Sequence, residues 1–444
     1  MNKQKTKFKQ TEIGMIPEEW EVKKIGDFLD IKHGFAFKGE FFSVNEIENI
    51  LLTPGNFKIG GGFKGDKLKY TTEEPPKDYV LKEGDIIVTM TDLSKMGDTL
   101  GYSAKIPPSN NKKFLHNQRI GLLKFKSNEV NSGFIYWVLR TKQYNFFVVG
   151  SATGSTVKHT SPNRIKLFQF GMPPLPEQTS IAKILSSLDS KIELNQQMNK
   201  TLEAIAQALF KRWFVDFEFP DENGEPYKSS GGEMVDSEMG KVPKGWAIKT
   251  IGNIVTVKGG TTPSTKKQEY WDNGTIHWCT PKDLSNLGSP VLLDTERKIT
   301  NKGLATISSG LLPKGTVLLS SRAPIGYLAI SEVPVSINQG FIAILCDKET
   351  PNYYILNWIR FNLGIIKNMA GGSTFQEINK ANFKSIRIII PNSFALREFE
   401  RIALSLFNRI VSNEIEITKL SRIRDSLLPR LMSGKIRVPF EVQK

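Results

Sequence analysis

The sequence predicts an α+β protein made by internal duplication. Two tandem α/β globules alternate with two long helices that pair as an antiparallel coiled coil about a pseudo-twofold. Three observations predict this: a heptad stretch that occurs twice, short motifs that recur at a near-constant offset, and a β-rich pattern inside each globule.

The heptad stretch comes first. Taken at alternating steps of four and three, its first copy runs Ile181, Leu185, Leu188, Ile192, Asn195, Asn199, Leu202, Ala206, Leu209, Trp213. Adding 218 to each number gives Phe399, Ala403, Leu406, Ile410, Asn413, Ile417, Leu420, Arg424, Leu427, Leu431. The mean step of 3.5 is the coiled-coil period. Each copy spans roughly 38 residues, or about 57 Å of helix. A single amphipathic helix ordinarily lies on its own domain, whereas two long ones in a common register suit each other. The sequence does not decide between parallel and antiparallel pairing. Antiparallel pairing gives a pseudo-dimer with a globule at each end and sets Asn195 against Asn413. As a buried pair they would fix register at a cost in stability; the other reading leaves each Asn at a wet gap.

The recurring motifs fix the duplication. Ile16-Pro17-Glu18-Glu19-Trp20 is answered by Val242-Pro243-Lys244-Gly245-Trp246, and Thr53-Pro54 by Thr280-Pro281. Gly101-Tyr102 is answered by Gly326-Tyr327, Asn117-Gln118 by Asn338-Gln339, and Gly154-Ser155-Thr156 by Gly372-Ser373-Thr374. Offsets near 226 in the globules and 218 in the helices mean a repeated unit of roughly 220 residues with small insertions. The boundaries that follow are an arm over 1–18, a first globule over 19–172, a helix over 173–216 and a linker over 217–240. A second globule over 241–391, a helix over 392–432 and a tail over 433–444 complete the chain. Within the globules, apolar runs at 86–89, 122–126, 317–320, 342–345 and 386–390 are bounded by turn residues and read as strands. One helix per globule is expected, over 134–148 and 353–369. Pro173-Pro174-Leu175-Pro176 is a stiff lead into the first long helix, with proline in the first turn where its missing N–H costs nothing.

Bulk composition narrows the class. With 444 residues there is room for two to four domains, and 39% hydrophobic with 24% charged residues is ordinary for a soluble globular protein. Lys and Arg exceed Asp and Glu by 60 − 45 = 15, and only four His can titrate near neutrality. That permanent positive surplus points to a polyanion partner, most simply nucleic acid. Two distant cysteines, Cys279 and Cys346, exclude a disulfide framework and suit a reducing compartment. The basic N-terminus has no apolar run behind it, and no stretch reaches the ~20 apolar residues of a membrane helix. The expectation is a cytoplasmic protein.

The usual catalytic motifs are missing. There is no Walker A sequence, no His-Glu-x-x-His and no Asn/Asp-Pro-Pro-aromatic tetrapeptide. Gly60-Gly61-Gly62-Phe63-Lys64-Gly65 satisfies GxGxxG, but no apolar strand leads into it and no βαβ unit surrounds it, so it reads as a glycine hairpin loop. Glu21-Val22-Lys23 lacks the upstream Asp of a nuclease site, and His33, His116, His159 and His277 are scattered. No catalytic residue, metal site or cofactor is expected in this chain.

Binding remains. Lys58, Lys64, Lys67 and Lys69, then Lys112 and Lys113, then Lys266 and Lys267 lie in polar, glycine-rich stretches where lysine can neutralise phosphate without reading sequence. Features common to both halves, such as Asn117-Gln118 and Asn338-Gln339, are better read as structural. Features that differ are candidates for choosing bases: His33, Asp92 and Lys95 in the first half against Thr262, Ser264 and Arg322 in the second, with Arg119 and Lys282 as further DNA-binding candidates.

Together these stretches resemble the specificity subunits of type I restriction-modification systems. The resemblance rests on Leu175-Pro176-Glu177-Gln178, on 209–217, on 427–438, and, in the second globule, on 259–264, 278–284, 321–326 and 338–340. The first globule departs from it at Thr89-Met90-Thr91-Asp92-Leu93, opposite Ser320-Ser321-Arg322-Ala323-Pro324. The resemblance implies two target-recognition domains that each read half of a bipartite, asymmetric site in double-stranded DNA. It implies a coiled coil that spaces them and docks two DNA-methyltransferase modification subunits, joined by restriction/translocase subunits. S-adenosylmethionine, ATP and Mg would belong to those partners. A stand-alone repeated DNA-binding regulator is the alternative, and a single-chain enzyme the third reading.

Overall fold

A computed structural model describes residues 6–439 apart from 95, 110, 349 and 372–375. The chain divides into two compact units, Met1–Ser190 with Leu420–Lys444, and Lys191–Lys419. The repeat echo at Gly372-Ser373-Thr374 and the candidate Lys95 lie outside the described residues.

Both units carry the same pair of sheets. In the first, an antiparallel four-stranded sheet runs in the order Ser103–Lys105, Ile86–Thr89, Ile120–Phe125, Leu29–His33. In the second, Leu328–Ser331, Val317–Ser320, Phe341–Leu345 and Thr256–Gly259 repeat that order, with Val291–Leu292 added in parallel at one edge. The other sheet is mixed. Asn49–Leu51 pairs in parallel with Lys113–Leu115 in the first unit, as Ile276–Cys279 does with Val335–Ile337 in the second. The central strands Ile86–Thr89 and Val317–Ser320 are buried at every position. Burial on both faces is why they read as continuous apolar runs rather than alternating ones.

The helix expected over each globule is broken in two. Ser132–Val138 is followed by Lys142–Gly150, because Thr141 stops the first helix and caps the second: its hydroxyl donates to Val138 O at 2.8 Å and accepts from Tyr144 N. Asn352–Phe361 and Leu363–Asn368 are separated in the same place by Asn362, whose amide donates to Trp358 O at 2.9 Å. Side chains that bond back to the local backbone compete with helix continuation. The stretch 217–240, expected as a linker, is folded. Phe219 is buried, its ring lies 4.9 Å from that of Trp246, and Met234–Ser237 forms a hairpin with Gly240–Pro243. The arm folds likewise, Phe8–Thr11 pairing with Gly14–Pro17. Aromatic anchors hold a segment whose polar composition alone suggests a loose tether.

The long helices are Leu175–Phe214 and Ser393–Met432, 40 residues each. All of the heptad positions named above are buried or half-buried. Past both helices the chain folds back in the same register, Glu218 N donating to Arg212 O and Ile436 N to Arg430 O. A left-handed residue follows each helix, Phe217 at φ 63° and Gly434 at φ 69°, as is common beyond a helix C-terminus. The helices pair antiparallel: Asp189 meets Arg424 in the first unit and Asn199 meets Asn413 in the second. The expected Asn195–Asn413 pairing is corrected by one helical turn. Asn413 Nδ2 donates to Asn199 Oδ1 at 2.8 Å, Asn199 Nδ2 to Glu414, and Asn195 Nδ2 to Glu416, each also at 2.8 Å. Two neighbouring seam positions carry Asn, and only the packing selects which one faces Asn413. Asn199→Leu alone strands a buried amide and should lower stability by about 1–3 kcal/mol, whereas the Asn199→Leu/Asn413→Leu pair should restore it or exceed it. Urea denaturation of the three proteins tests this, and a double variant no more stable than the single one would contradict it.

A candidate nucleic-acid interface

At one end of each four-stranded framework, loops from distant parts of the sequence converge. In the first unit these are the end of Leu29–His33, the end of Ile86–Thr89, the turn before Ile120–Phe125, and Lys158–His159. Met90 N donates to Arg119 O at 2.9 Å, Thr91 and Asp92 pair with His159 and Lys158, and Phe35 N donates to His116 O. In the second unit Ser321 N donates to Gly340 O and Ile378 N to Ser321 O, while Arg322 bridges to Glu377.

The shared residues build the platform. A Cβ on Gly34 would meet Asn117 O at 2.1 Å, and one on Gly260 would meet Ile337 O at 1.9 Å, so only glycine lets these chains cross. Asn117 Oδ1 accepts from Arg119 N, and Asn338 Oδ1 from Gly340 N, the same side-chain turn in both halves. Thr53 with Asn56 and Thr280 with Asp283 form matching capping boxes. The Asn-Gln echo is therefore structural at its Asn, while Gln118 is exposed and Gln339 accepts from the Thr262 hydroxyl at 2.6 Å.

The candidates that differ occupy the tips, with two exceptions. His33 and Arg119 are exposed beside this first loop cluster. Thr262, Ser264, Lys266 and Lys267 are exposed on a loop held from beneath by Trp271, whose Nε1 donates to Ser264 O and whose ring stacks on the Arg297 guanidinium at 3.5 Å. Lys267 also reaches the Tyr270 hydroxyl. Arg322 is half-exposed, 3.6 Å from the Glu377 carboxylate. Lys282, exposed, pairs with Glu296 at 2.8 Å. Lys64, Lys67 and Lys69 are exposed on and after the glycine hairpin, Lys64 lying 3.8 Å from Asp66. The first exception is Asp92, which is 4% exposed with both oxygens engaged: Oδ1 accepts from Ser94 N, and Oδ2 from the Thr99 N–H and hydroxyl. Burial alone would raise its pKa, but these donors outweigh it and hold the carboxyl below its ordinary value. Asp92 is thus committed to its own loop. The second is Lys95, outside the described residues. His159 and Glu377 complete the clusters without any local sequence signal, each lying far along the chain from its partner.

Two arginines tie the platforms to the long helices. Arg140 donates to Gly60 O and Gly61 O of the glycine hairpin and forms an ion pair with Asp189, which also binds Arg424. Burial would raise the Asp189 pKa, yet the two guanidiniums more than offset that and lower it. Arg360 plays the matching part, 2.6 Å from Glu203. There burial, reinforced by Glu414, prevails over Arg360 and raises the Glu203 pKa. No cluster of His, Cys, Asp or Glu among the described residues could hold a metal ion, and no helix among them is long and apolar enough to cross a membrane. What remains at the loop tips is mainly polar, basic and hydrogen-bonding chemistry, with Leu93 and Met96 as exposed apolar side chains in the first unit.

A sequence model of the type I restriction modification DNA specificity domain matches residues 17–204 and again 243–423. The chain belongs to that family. It is 40% identical over 183 residues to the specificity subunit of the type I restriction enzyme MjaIX of Methanocaldococcus jannaschii, a match covering 40% of this chain and 41% of that protein. It is 26% identical over 380 residues to the HindI specificity subunit of Haemophilus influenzae, covering 72% and 82%. The fold is similar to the crystal structure of the S subunit of a type I restriction-modification system from M. genitalium, with a TM-score of 0.56, 17% identity, and 96% and 98% of the two chains covered.

Proposed function

We propose that this chain is the non-catalytic, DNA-reading subunit of a type I restriction-modification complex. Each loop cluster reads one half of a bipartite, asymmetric site. The observation that carries this is the division of labour within the duplication: the same glycine crossing and asparagine turn in both halves, with different side chains at the tips. Identical tips would read a symmetric site. Two readers joined through helices gain affinity by effective concentration and fix the spacing of their half-sites.

The helix pair docks two methyltransferase subunits, through which restriction/translocase subunits join. Supporting this, Leu194, Ile205, Leu404 and Ile415 are at least 40% exposed on faces that the pairing does not use. Such residues in a row on paired helices suit partner helices. S-adenosylmethionine, ATP and Mg would be held by those subunits, in the cytoplasm.

Mapping methyl-adenine across the source genome with and without this gene tests the proposal. The expected result is loss of one motif made of two defined halves and an undefined gap. Exchanging 241–390 for the corresponding domain of a relative should then change only one half. Unchanged methylation in an active methylating strain would overturn the reading.

A further inference from the structure

Between Asp92 and Gly101 the first unit carries a loop, described at every position but Lys95, that is longer than its counterpart from Ala323 to Gly326. Leu93 is 67% exposed and Met96 75%, both at its tip. At the matching place in the second half, Ala323 and Pro324 replace a long side chain and Ile325 is buried. Single exposed apolar residues need no explanation. Two on one short tip are different when the protein stiffens that tip at several points. Asp92 receives Ser94 N, Thr99 N and the Thr99 hydroxyl at 2.6–2.8 Å. The Ser94 hydroxyl receives Gly97 N and Asp98 N at 3.0 and 2.9 Å. Asn145, on Lys142–Gly150, donates to Gly97 O and Leu100 O. Burying a carboxylate to brace a loop that presents its apolar side chains to water makes sense only if they meet something.

Their neighbours indicate what. Lys158 pairs directly with Asp92 across the two-residue ladder, and exposed Arg119 is bonded through its carbonyl to Met90. Basic groups flanking an apolar tip complement a phosphate backbone around a stacked, apolar interior. We propose that Leu93 and Met96 form a wedge that enters a base step of the half-site read by the first unit and unstacks it. This rests on the DNA-reading function proposed above. Leu and Met are among the side chains that enter base steps and kink the duplex by roughly 20–90°. Pyrimidine–purine steps unstack at least cost, so the wedge would add preference for such a step without any hydrogen bond to a base.

The test uses the full chain in complex with its co-purified partner subunits. The probe is an end-labelled duplex bearing the motif found by the methyl-adenine map. Resonance energy transfer between the duplex ends reads the bend, and titration reads affinity against a scrambled duplex. The expected result is a bent duplex with the unaltered protein, and a straighter one with Leu93→Ala/Met96→Ala, whose site-specific affinity falls about 10- to 100-fold. Leu93→Met/Met96→Leu should keep the bend. Both positions are solvent-exposed, so folding should survive, and retained partner binding verifies it. An unchanged bend and affinity in the alanine variant overturns the wedge while leaving DNA reading intact. Loss of partner binding with normal DNA bending overturns it in favour of a protein contact. If the unaltered complex does not prefer the motif over scrambled DNA, both the wedge and the DNA-reading function fall.

Discussion

Arg437→Ala is expected to cost the first unit about 3–5 kcal/mol, because it leaves a buried carboxylate without its countercharge. Glu177 is fully buried, and Arg437 grips it at 2.7 and 2.8 Å while Trp20 Nε1 donates to it at 3.1 Å. Arg437 also pairs with Glu19. In the variant only the indole N–H remains. For a unit of this size the loss corresponds to a drop on the order of 10 °C in melting temperature, readable by calorimetry of the full chain. The second half shows how to repair it. At the helix offset of 218 Arg437 corresponds to Phe219 and Glu177 to Ala395, and at the globule offset of 226 Trp20 corresponds to Trp246. There the junction is apolar: Phe219 and Ala395 are buried, and Trp246 Nε1 has no hydrogen-bond partner among the described residues. Replacing a buried ion pair by well-packed apolar groups is often neutral. Glu177→Ala/Arg437→Phe should therefore regain most of what Arg437→Ala loses. An alanine variant that melts like the parent would show that the buried pair contributes nothing net.

The next largest effect is expected at Asp189. Its side chain is 13% exposed and serves both Arg140, 5% exposed, and Arg424, 18% exposed. Asp189→Ala removes the countercharge of both. Arg140 keeps the Tyr136 hydroxyl, the carbonyls of Gly60 and Gly61 and the face of Trp137, and Arg424 keeps Asp425. The cost should thus fall near the lower end of the range, about 3 kcal/mol. The pH dependence carries a sign. The folded pKa of Asp189 lies below its ordinary value of 3.8, so the stability it contributes is fully present above that value. It is lost as pH falls through the depressed folded pKa. Asp189→Asn should flatten the acid limb of the stability curve of the first unit, and an acid limb identical to that of the parent would contradict this assignment.

Some of this architecture was legible in the chain. The heptad seam was, because ten positions per helix repeat one period and no local effect imitates that. The duplication was, because turn residues such as Gly101 and Gly326 or Asn117 and Asn338 serve backbone geometry and recur wherever the geometry recurs. What escaped was whatever depends on a partner far along the chain. Arg140 and Asp189 are 49 residues apart and Glu177 and Arg437 are 260 apart. Neither pair has a period to betray it, and Arg424 sat on the seam looking like a tolerated polar residue. Asp92 reads as a base reader because it differs from its counterpart Ala323, and only the folded loop shows that both of its oxygens are already engaged. The helix register slipped by one turn because Asn195 and Asn199 are equivalent to any pattern.

Residues 191–419 form a continuous unit, whereas the first unit combines Met1–Ser190 with Leu420–Lys444. A ribosome finishes the second unit before it has supplied the first with its last pieces. At ~5–20 residues per second, Glu177 and Asp189 wait on the order of tens of seconds for Arg437 and Arg424. During that interval the earliest-made recognition domain is the incomplete one. Its carboxylates stay open to water and its helix face uncovered until the segment from Leu420 onward joins it.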